Sequence, residues 1–425
     1  MPQIYNDPAG GNDSSIGKQF RTDHYIKRAL IEARKEMYFG QLSGVTNMPK
    51  NMGKKIKKYH YLPLLDDANM NDQGIDASGA VIDNTRWSAW NGQGVLLGDN
   101  FIDEVTALSQ EGANIIRQNS GNLYGSSKDV GVISSKLPTL SETGGRVNRV
   151  GFTRKEVEGT MEKFGFFDEY TQESVDFDSD AELQMHIHRE MLNGAMEMTE
   201  DALMVDLMNS AGVVRFAGTA AANIQVNDED TVVYGDLLRL SIDLDNNRTP
   251  KQTKVITGTR RIDTKTLPAA RVMFIGSELI PTIEGLTDSH GNPAFIPVQK
   301  YAAATTILNG EIGSVSNFRI VVVPEMGKWS GAGSPGGGSE THYESGNNFD
   351  IFPMLVVGEG SFTTIGFQTD GKSTKFKITH KPPGEATADR NDPYGETGFM
   401  SIKWWYGFLL ERSERIAVIK TAAIM

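Results

Sequence analysis

The longest regular pattern in the chain lies at residues 178–212, with the sequence DSDAELQMHIHREMLNGAMEMTEDALMVDLMNSAG. Ser179 and Glu182 have the spacing of a capping box, in which each side chain accepts a hydrogen bond from the other residue's backbone N–H, so a helix is predicted to begin here. Gly212 supplies the matching end. Some thirty residues at about 1.5 Å each give a predicted helix of roughly 45 Å.

This predicted helix has one apolar face and one polar face when its residues are placed at about 100° intervals. The apolar stripe consists of Ile187, Met191, Ala195, Met198, Ala202 and Val205, widened by Leu192, Met196, Leu203 and Leu207. The polar face consists of His186, Glu190, Asn193, Glu197 and Glu200. Beyond Asp201 the polar face disappears, because Met204 and Met208 lie there, so we expect that end to be buried on all sides.

A strand, a turn and the helix follow one another. Residues 157–170, VEGTMEKFGFFDEY, predict a long strand, because aromatic and β-branched residues recur along them. The next residues, TQESVDFD, predict an acidic turn that leads into the helix cap.

The remainder of the C-terminal half predicts alternating helices, buried strands and loops. Residues 227–247 predict a helix that ends before Arg248-Thr249-Pro250, and residues 271–277 and 317–324 predict buried strands. Residues 331–348, GAGSPGGGSETHYESGNN, predict a flexible surface loop with too much glycine to pack. An alternating strand is predicted to form a hairpin with RIAVIK at 415–420, lying along the long helix. The apolar positions of that alternating strand are Met400, Ile402, Trp404, Tyr406, Phe408 and Leu410.

Several segments, taken as a set, resemble the major capsid proteins of tailed bacteriophages, and within them those of the short-tailed enquatrovirus-like (Schitoviridae) phages. The order of long strand, acidic turn and long helix is the first of them. The others are KKIKKYHYLPLLDD at 54–67, NDQGIDASGA at 71–80, GRVNRVGFTR at 145–154, DPYGETG at 392–398, KWWYG at 403–407 and the closing residues 416–420.

The resemblance implies an α+β protein with the tailed-phage major capsid fold, divided into five segments. These are an N-terminal arm at 1–60, an extended arm loop with an inserted lobe at 61–174, the spine helix of a peripheral domain at 175–233, an axial domain with a Gly-rich loop at 234–365, and the return β strands of the peripheral domain at 366–425. The function it implies is self-assembly, in hexamers and pentamers, into an icosahedral shell that encloses double-stranded DNA. The other partners it implies are scaffolding and portal proteins and a decoration protein.

Composition fits a structural protein assembled in the host bacterial cytoplasm. Zero cysteines exclude disulfides and thiol chemistry, no signal peptide is visible, and no stretch has the roughly eighteen apolar residues of a membrane span. Net charge is −12, but residues 1–60 carry eleven Lys and Arg against five Asp and Glu, hence +6, which leaves −18 for the rest. So acidic a body disfavours a general nucleic-acid-binding protein.

The basic N-terminal segment carries two further predictions. A short helix is predicted from Thr22, with an apolar stripe that suits docking on this or a neighbouring subunit. That stripe consists of Ile26, Leu30, Ala33 and Met37. A lysine run enters the strand IKKYHYL and is interpreted as a solvated face, with contact to DNA or to an acidic neighbouring subunit as the alternative. The run consists of Lys50, Lys54, Lys55, Lys57 and Lys58. Within the arm loop, residues 100–118 predict one more helix.

Two motif matches are rejected on mechanism. Residues 366–373, GFQTDGKS, satisfy the P-loop pattern, but the alternating STKFKITH follows Lys372 where a P-loop needs a helix, so Asp370-Gly371 is interpreted as a hairpin turn. Asp243-Leu-Asp245-Asn-Asn247 resembles the start of a calcium loop but lacks its later Gly and Glu, and is interpreted as a helix end.

We predict no catalytic, cofactor-binding or metal-binding residue. An encapsulin-like compartment and a P-loop protein are the alternative functions.

Three residues of the long helix have two interpretations each. His186 and His188 point about 200° apart on a helix, so they cannot share a metal ion. His188 lies within the apolar stripe near Gln184 and Asp206, which predicts a buried, hydrogen-bonded group or one that reaches another subunit. Gly194 costs about 1 kcal/mol relative to Ala in mid-helix, which indicates either the close approach of a neighbour or a tolerated defect.

Overall fold

The computed structural model describes sixteen stretches of the chain. They are residues 38–42, 44–48, 51–61, 96–97, 100–101, 154–177, 183–256, 264–267, 270–301, 308–336, 341–369, 372–373, 376–385, 388, 390 and 392–425. The predicted helix from Thr22, the capping pair Ser179 and Glu182, and most of the arm loop lie outside the described residues. Within 100–118, Asn100–Phe101 is described, and it pairs with Leu96–Leu97 as a strand rather than opening a helix.

Twenty strands and four α-helices are described. In chain order the strands are β1 (Gly44–Met48), β2 (Lys55–Tyr61), β3 (Leu96–Leu97), β4 (Asn100–Phe101), β5 (Arg154–Thr171), β6 (Val213–Phe216), β7 (Thr253–Ile256), β8 (Thr264–Leu267), β9 (Arg271–Ile275), β10 (Phe295–Pro297), β11 (Glu311–Val315), β12 (Phe318–Val322), β13 (Glu344–Ser345), β14 (Asn348–Phe349), β15 (Phe352–Val357), β16 (Phe362–Thr369), β17 (Lys372–Ser373), β18 (Phe376–Lys381), β19 (Thr397–Leu410) and β20 (Ile416–Thr421). The helices are α1 (Gln172–Phe177), α2 (Leu183–Asn209), α3 (Tyr234–Asn246) and α4 (Ile280–Glu284).

Two seven-stranded sheets contain most of the strands. The first has the order β1-β16-β19-β5-β2, with β17 paired to β16 and β18 paired to β19. The second has the order β10-β11-β12-β9-β15-β20-β6. Three two-stranded sheets, β3-β4, β7-β8 and β13-β14, complete the described set. Sheets together with helices make this an α+β protein.

The chain divides into two compact units. The smaller contains the described residues of Phe167–Asn193 and Thr379–Ser401, and the larger contains the other described residues. In the smaller unit, the backbone N–H of Gln172 donates to the carbonyl of Glu396 at 2.8 Å. The DPYGETG segment there is a turn, in which Asp392 accepts hydrogen bonds from Glu396 and Thr397. The hydroxyl and backbone N–H of Thr397 hold the pKa of Asp392 below its ordinary value.

The core of the larger unit lies on the second sheet. Every residue of β9 and β15 is buried, as expected for central strands with apolar residues on both faces. Helix α3 adds Leu237, Leu240 and Leu244, none of which is exposed, to the same cluster. The predicted helix is confirmed over Tyr234–Asn246, and the strands predicted at 271–277 and 317–324 are confirmed as β9, buried throughout, and β12, buried at Phe318, Ile320 and Val321. Strands β9 and β12 pair in parallel.

The predicted C-terminal hairpin is wrong. Strands β19 and β20 belong to different sheets: β20 pairs antiparallel with β15 and parallel with β6. Its sequence explains this, because IAVIKT is apolar on both faces and is therefore stable in the interior of a sheet. The alternation along β19 also ends early, since Leu409 is buried beyond Gly407 while Phe408 is only partly buried.

The described parts of the glycine-rich segment, 331–336 and 341–348, are packed rather than forming a free surface loop. Gly331 donates its N–H to Asp350 at 2.7 Å, and Ser334 donates to the carbonyl of Val226 at 2.9 Å. Strands β13 and β14 pair inside it. At Gly333 a Cβ would lie 2.8 Å from the carbonyl oxygen of Phe349, so glycine here permits a close backbone approach instead of disorder.

The long strand and the long helix are confirmed, with different details. Strand β5 has 18 residues and α2 has 27. The predicted acidic turn between them is instead helix α1, in which Ser174 donates to the backbone of Thr171. Helix α2 ends at Asn209, close to the predicted stop at Gly212.

The buried face of α2 differs from the predicted stripe. Met191, Ala195, Leu203 and Leu207 are buried, but Met198 is 56% exposed and Val205 is 46% exposed. Conversely Glu200, predicted on the polar face, is only 7% exposed. In the second half of the helix, the buried face is therefore shifted around the helix axis by roughly a third of a turn from the predicted apolar stripe. The C-terminal end of the helix is not buried on all sides.

Candidate assembly elements

The P-loop match is a β-hairpin. Strands β16 and β17 pair antiparallel, with Gln368 opposite Ser373 and Thr369 opposite Lys372. Because Lys372 is in a strand, no helix N-terminus is present there to bind a phosphate. The predicted hairpin is confirmed, and the nucleotide-binding alternative loses its only motif.

The calcium-loop match is the C-terminal end of α3, as predicted. Its carboxylates form ion pairs with arginines: Asp243 with the buried Arg215, and Asp245 with Arg271 at 2.5 Å. Arg271 is fully buried and also donates to the carbonyl of Thr249 at 2.8 Å. A buried arginine is stable only when it is paired, so these carboxylates hold the helix end to the sheet. Among the described residues, no group of three or more His, Asp or Glu side chains could hold a metal ion.

The prediction of a buried, hydrogen-bonded His188 is wrong, whereas the alternative, a histidine that reaches another subunit, stays a prediction. His188 is exposed, and its predicted neighbour Asp206 accepts a hydrogen bond from the Tyr406 hydroxyl at 2.7 Å instead. Burial raises the pKa of Asp206, although the tyrosine hydrogen bond opposes the rise. Burial and the neighbouring carboxylate raise the pKa of Tyr406 as well. A tyrosine that donates to a carboxylate without another reactive group holds the helix to the sheet rather than performing catalysis.

Aromatic side chains join β5, β18 and β19 on the face of the first sheet that carries Trp404. Phe164 stacks on Trp404 with ring centroids 6.0 Å apart, and Phe166 meets the same ring edge-on at 6.0 Å. Phe376 contacts it from the other side at 5.8 Å. Such pairs stabilise beyond the area they bury, by about 0.5–1.5 kcal/mol each.

Glu200 holds the N-terminal segment to α2. Its carboxylate accepts the backbone N–H of Phe39 at 2.5 Å and that of Gly40 at 3.2 Å. Phe39 is buried beside Phe274, with ring centroids 4.6 Å apart. Two backbone donors replace the water that a buried carboxylate would otherwise need, which explains a charge on the buried face of the helix. Sequence reasoning missed this residue because its partners lie about 160 positions away.

The N-terminal lysine run is largely neutralised within the chain. Lys55 pairs with Glu158 at 3.2 Å, Lys57 pairs with Glu156, and Lys58 pairs with Glu411 at 2.8 Å. Lys50 lies outside the described residues. Exposed pairs of this kind contribute up to about 1 kcal/mol each, so the solvated-face interpretation holds for these three residues.

Large apolar side chains remain exposed on two of the described helices, α2 and α3. Besides Met198 and Val205 on α2, Leu238 is 40% exposed and Ile242 is 54% exposed on α3, one turn apart on one face. Apolar residues grouped on an element are typical of surfaces that contact another protein. The described residues thus offer contact surfaces and a long strand–helix pair, and no constellation of catalytic groups. None of the described helices is long and apolar enough to cross a membrane.

Comparison with known proteins identifies the class of protein. The sequence matches the phage capsid protein family over residues 154–421, which is well over half of the chain. Two solved structures share the fold: the capsid of Ralstonia phage GP4 (10% identity, 96% of this chain and 97% of that chain, TM-score 0.52) and the Cyanophage Pam1 capsid (10% identity, 95% and 97%, TM-score 0.51).

A sequence relative gives the particular role. The chain is 56% identical to the major capsid protein of Pseudomonas phage KPP21 over 423 residues, which cover 99% of this chain and 98% of that protein. The chain belongs to the phage capsid protein family. It is a structural, shell-forming major capsid protein of the virion and not an enzyme, as the resemblance predicted.

Proposed function

We propose that this protein assembles with itself into hexamers and pentamers of a closed icosahedral shell around the double-stranded DNA of a tailed phage. The observation that carries the proposal is the 56% identity to a major capsid protein along 99% of the chain. An assembled protomer of this kind buries area on several neighbours, in the range of obligate interfaces. The exposed apolar residues of α2 and α3 fit that requirement.

The five segments have distinct roles in this proposal. Residues 1–60 and 61–174 reach neighbouring subunits, and 175–233 and 366–425 form the peripheral domain. Residues 234–365 form an axial domain whose tip meets its copies at the capsomer centre. The two fully buried strands β9 and β15 and the arginine pairs of α3 support a rigid axial domain, since a fixed core holds the contact surfaces in one geometry.

Further partners follow from the same role. We propose that scaffolding and portal proteins act during assembly in the host bacterial cytoplasm, and that a decoration protein binds the finished shell. We also propose that the source phage belongs to the short-tailed enquatrovirus-like group. The set of segments from 54–67 to 403–407 supports that grouping.

Electron microscopy of the purified full chain, alone and co-expressed with scaffolding protein, tests the proposal. Closed shells with hexamers and pentamers are expected. Co-purified phage DNA supports a virion shell, whereas a co-purified enzyme would support an encapsulin-like compartment. A 46.6 kDa monomer at high concentration, without particles under either condition, would contradict self-assembly.

A further inference from the structure

Four lysines lie together on one face of the first sheet. Phe164 and Phe376 each contact Trp404 on the opposite face. Because side chains alternate along a strand, the residues next to them in sequence point the other way. Those residues include Lys163, Lys377 and Lys403. Trp405 shares their face, and the Lys54 ammonium lies 5.6 Å from the centre of its ring. We name these four lysines the lysine patch.

Two members of the lysine patch are cross-strand neighbours. Strand β18 pairs with β19. Phe376 contacts Trp404 and Lys381 lies over Phe399, which shows that the two strands are antiparallel. This order places Lys377 beside Lys403. On the other side of β19, strand β5 places Gly165 next to Lys403: a Cβ built on Gly165 would lie 3.3 Å from the Cβ of Lys403. The neighbour of Lys403 in β5 therefore has no side chain. Like charges opposite each other destabilise a sheet.

Among the described residues, no carboxylate relieves this repulsion. All four lysines are exposed, and among the described residues none of them has a carboxylate within 4.0 Å. The nearby Lys55, Lys57 and Lys58 differ, since each forms an ion pair with a glutamate of the same chain. The lysine patch is therefore an unneutralised basic surface on a chain whose net charge is −12.

We propose that the lysine patch binds carboxylates of a second copy of this chain in the assembled shell, an inference that rests on the self-assembly proposed above. A copy of an acidic chain offers the complementary charge. The end of β5 and helix α1, for example, carry four exposed acids with no lysine or arginine within 4.0 Å in the described part of the chain. These acids are Asp168, Glu169, Glu173 and Asp176.

The geometry suits a contact between copies better than it suits DNA. The patch surrounds a partly buried tryptophan, and aromatic residues are enriched in protein–protein contacts. The lysine patch contacts an acidic surface of the partner and not the partner's own lysine patch. The contact is therefore heterologous and can close a ring of subunits. Packaged DNA is the other polyanion in the particle, and binding to it would leave shell formation unaffected.

The test is a charge reversal of three patch lysines, Lys163→Glu, Lys377→Glu and Lys403→Glu, in the full chain. Lys300→Glu, at an exposed lysine with no described ion pair, is the matched control. We expect the yield of sedimenting shells at physiological salt to fall about tenfold in the triple variant and to stay unchanged in the control. The urea midpoint of the unassembled triple variant should be no lower than that of wild type, which separates lost assembly from lost folding.

A cross-linking experiment identifies the anion. Wild-type shells assembled from a mixture of light and heavy nitrogen-labelled protein are treated with a carbodiimide, which joins amines to carboxylates in direct contact. We expect mixed-isotope cross-links from Lys163, Lys377 or Lys403 to aspartate or glutamate. Wild-type shell yield in the triple variant overturns the inference while the proposed function stands, and reduced DNA retention in those shells would assign the patch to DNA. Absence of shells from the wild type would overturn both.

Discussion

Gly194 allows a direct test of the packing of α2. The glycine lies within a 27-residue helix, and a Cβ built there would have the Phe166 ring as its nearest neighbour, at 3.7 Å. That distance is an ordinary van der Waals contact. Gly194→Ala therefore removes the unfavourable helix propensity of glycine and adds a methyl group without a clash. We expect the free energy of unfolding to rise by about 1 kcal/mol, or about fivefold in the ratio of folded to unfolded protein.

The measurement is urea unfolding of the unassembled subunit, followed by circular dichroism. Gly165→Ala is the matched control, because its Cβ would lie 2.7 Å from the carbonyl oxygen of Ile402 and should destabilise by about 1–3 kcal/mol. A lower urea midpoint for Gly194→Ala than for wild type would refute the packing described above. A stabilised subunit that no longer forms shells would show that a neighbouring copy approaches Gly194, which was the alternative interpretation of the sequence.

Three other substitutions and one deletion test separate parts of the structure. Lys372→Ala should leave assembly unchanged, because strand β17 stands where a P-loop has its helix. Isothermal titration should detect no ATP binding to wild type or variant. Saturable ATP binding that is lost in the variant would contradict this prediction. Deleting 331–348 should abolish soluble folded protein, because the segment's backbone hydrogen bonds to Asp350 and Val226 are lost; a cooperative wild-type melting curve would show that the segment is dispensable. Glu200→Ala should lower the free energy of unfolding by about 2–5 kcal/mol, since it leaves two buried backbone donors unpaired, and an unchanged urea midpoint would refute that. Burial raises the pKa of Asp206 in the folded protein. The contribution of this carboxyl group to the free energy of unfolding is therefore fully present below the unfolded pKa of about 3.9, and it is lost as pH rises through the folded pKa. Asp206→Asn should therefore gain stability relative to wild type between about pH 4 and neutral pH, and a constant difference in urea midpoint across that range would contradict the assignment.

The sequence predicted local features well because local chemistry determines them. The hairpin at 366–373 follows from Asp370-Gly371 between two alternating runs, and its register needs no distant partner. The long helix and the long strand follow from periodicity sustained over many residues. Two local predictions fail: the acidic turn is helix α1, six residues with no strong signal of either kind, and Asn100–Phe101, predicted to open a helix, is a strand.

Long-range contacts account for the larger errors. The wheel assigned Glu200 to the polar face because it could not include Phe39 and Gly40, whose N–H groups make burial of the carboxylate possible. The C-terminal strand β20 was recognised as a strand, but the choice of β15 and β6 as its neighbours depends on burial of both faces. At 331–348, glycine content was interpreted as disorder, whereas contacts with Val226 and Asp350 make those glycines necessary.

The same distinction applies to function. A phosphate-binding loop is a local device, so the strand that follows Lys372 suffices to reject it from sequence. An assembly surface is built from separated segments, and its members have no common motif. Lys54, Lys163, Lys377 and Lys403 come from different parts of the chain and meet only because β5, β18 and β19 are neighbours in one sheet. Along the sequence these four lysines share no motif, and only the sheet shows that they form one surface without a carboxylate partner among the described residues. Net charge per segment indicates residues 1–60, where Lys55, Lys57 and Lys58 are paired within the chain and Lys54 belongs to the lysine patch, but it does not indicate Lys163, Lys377 or Lys403.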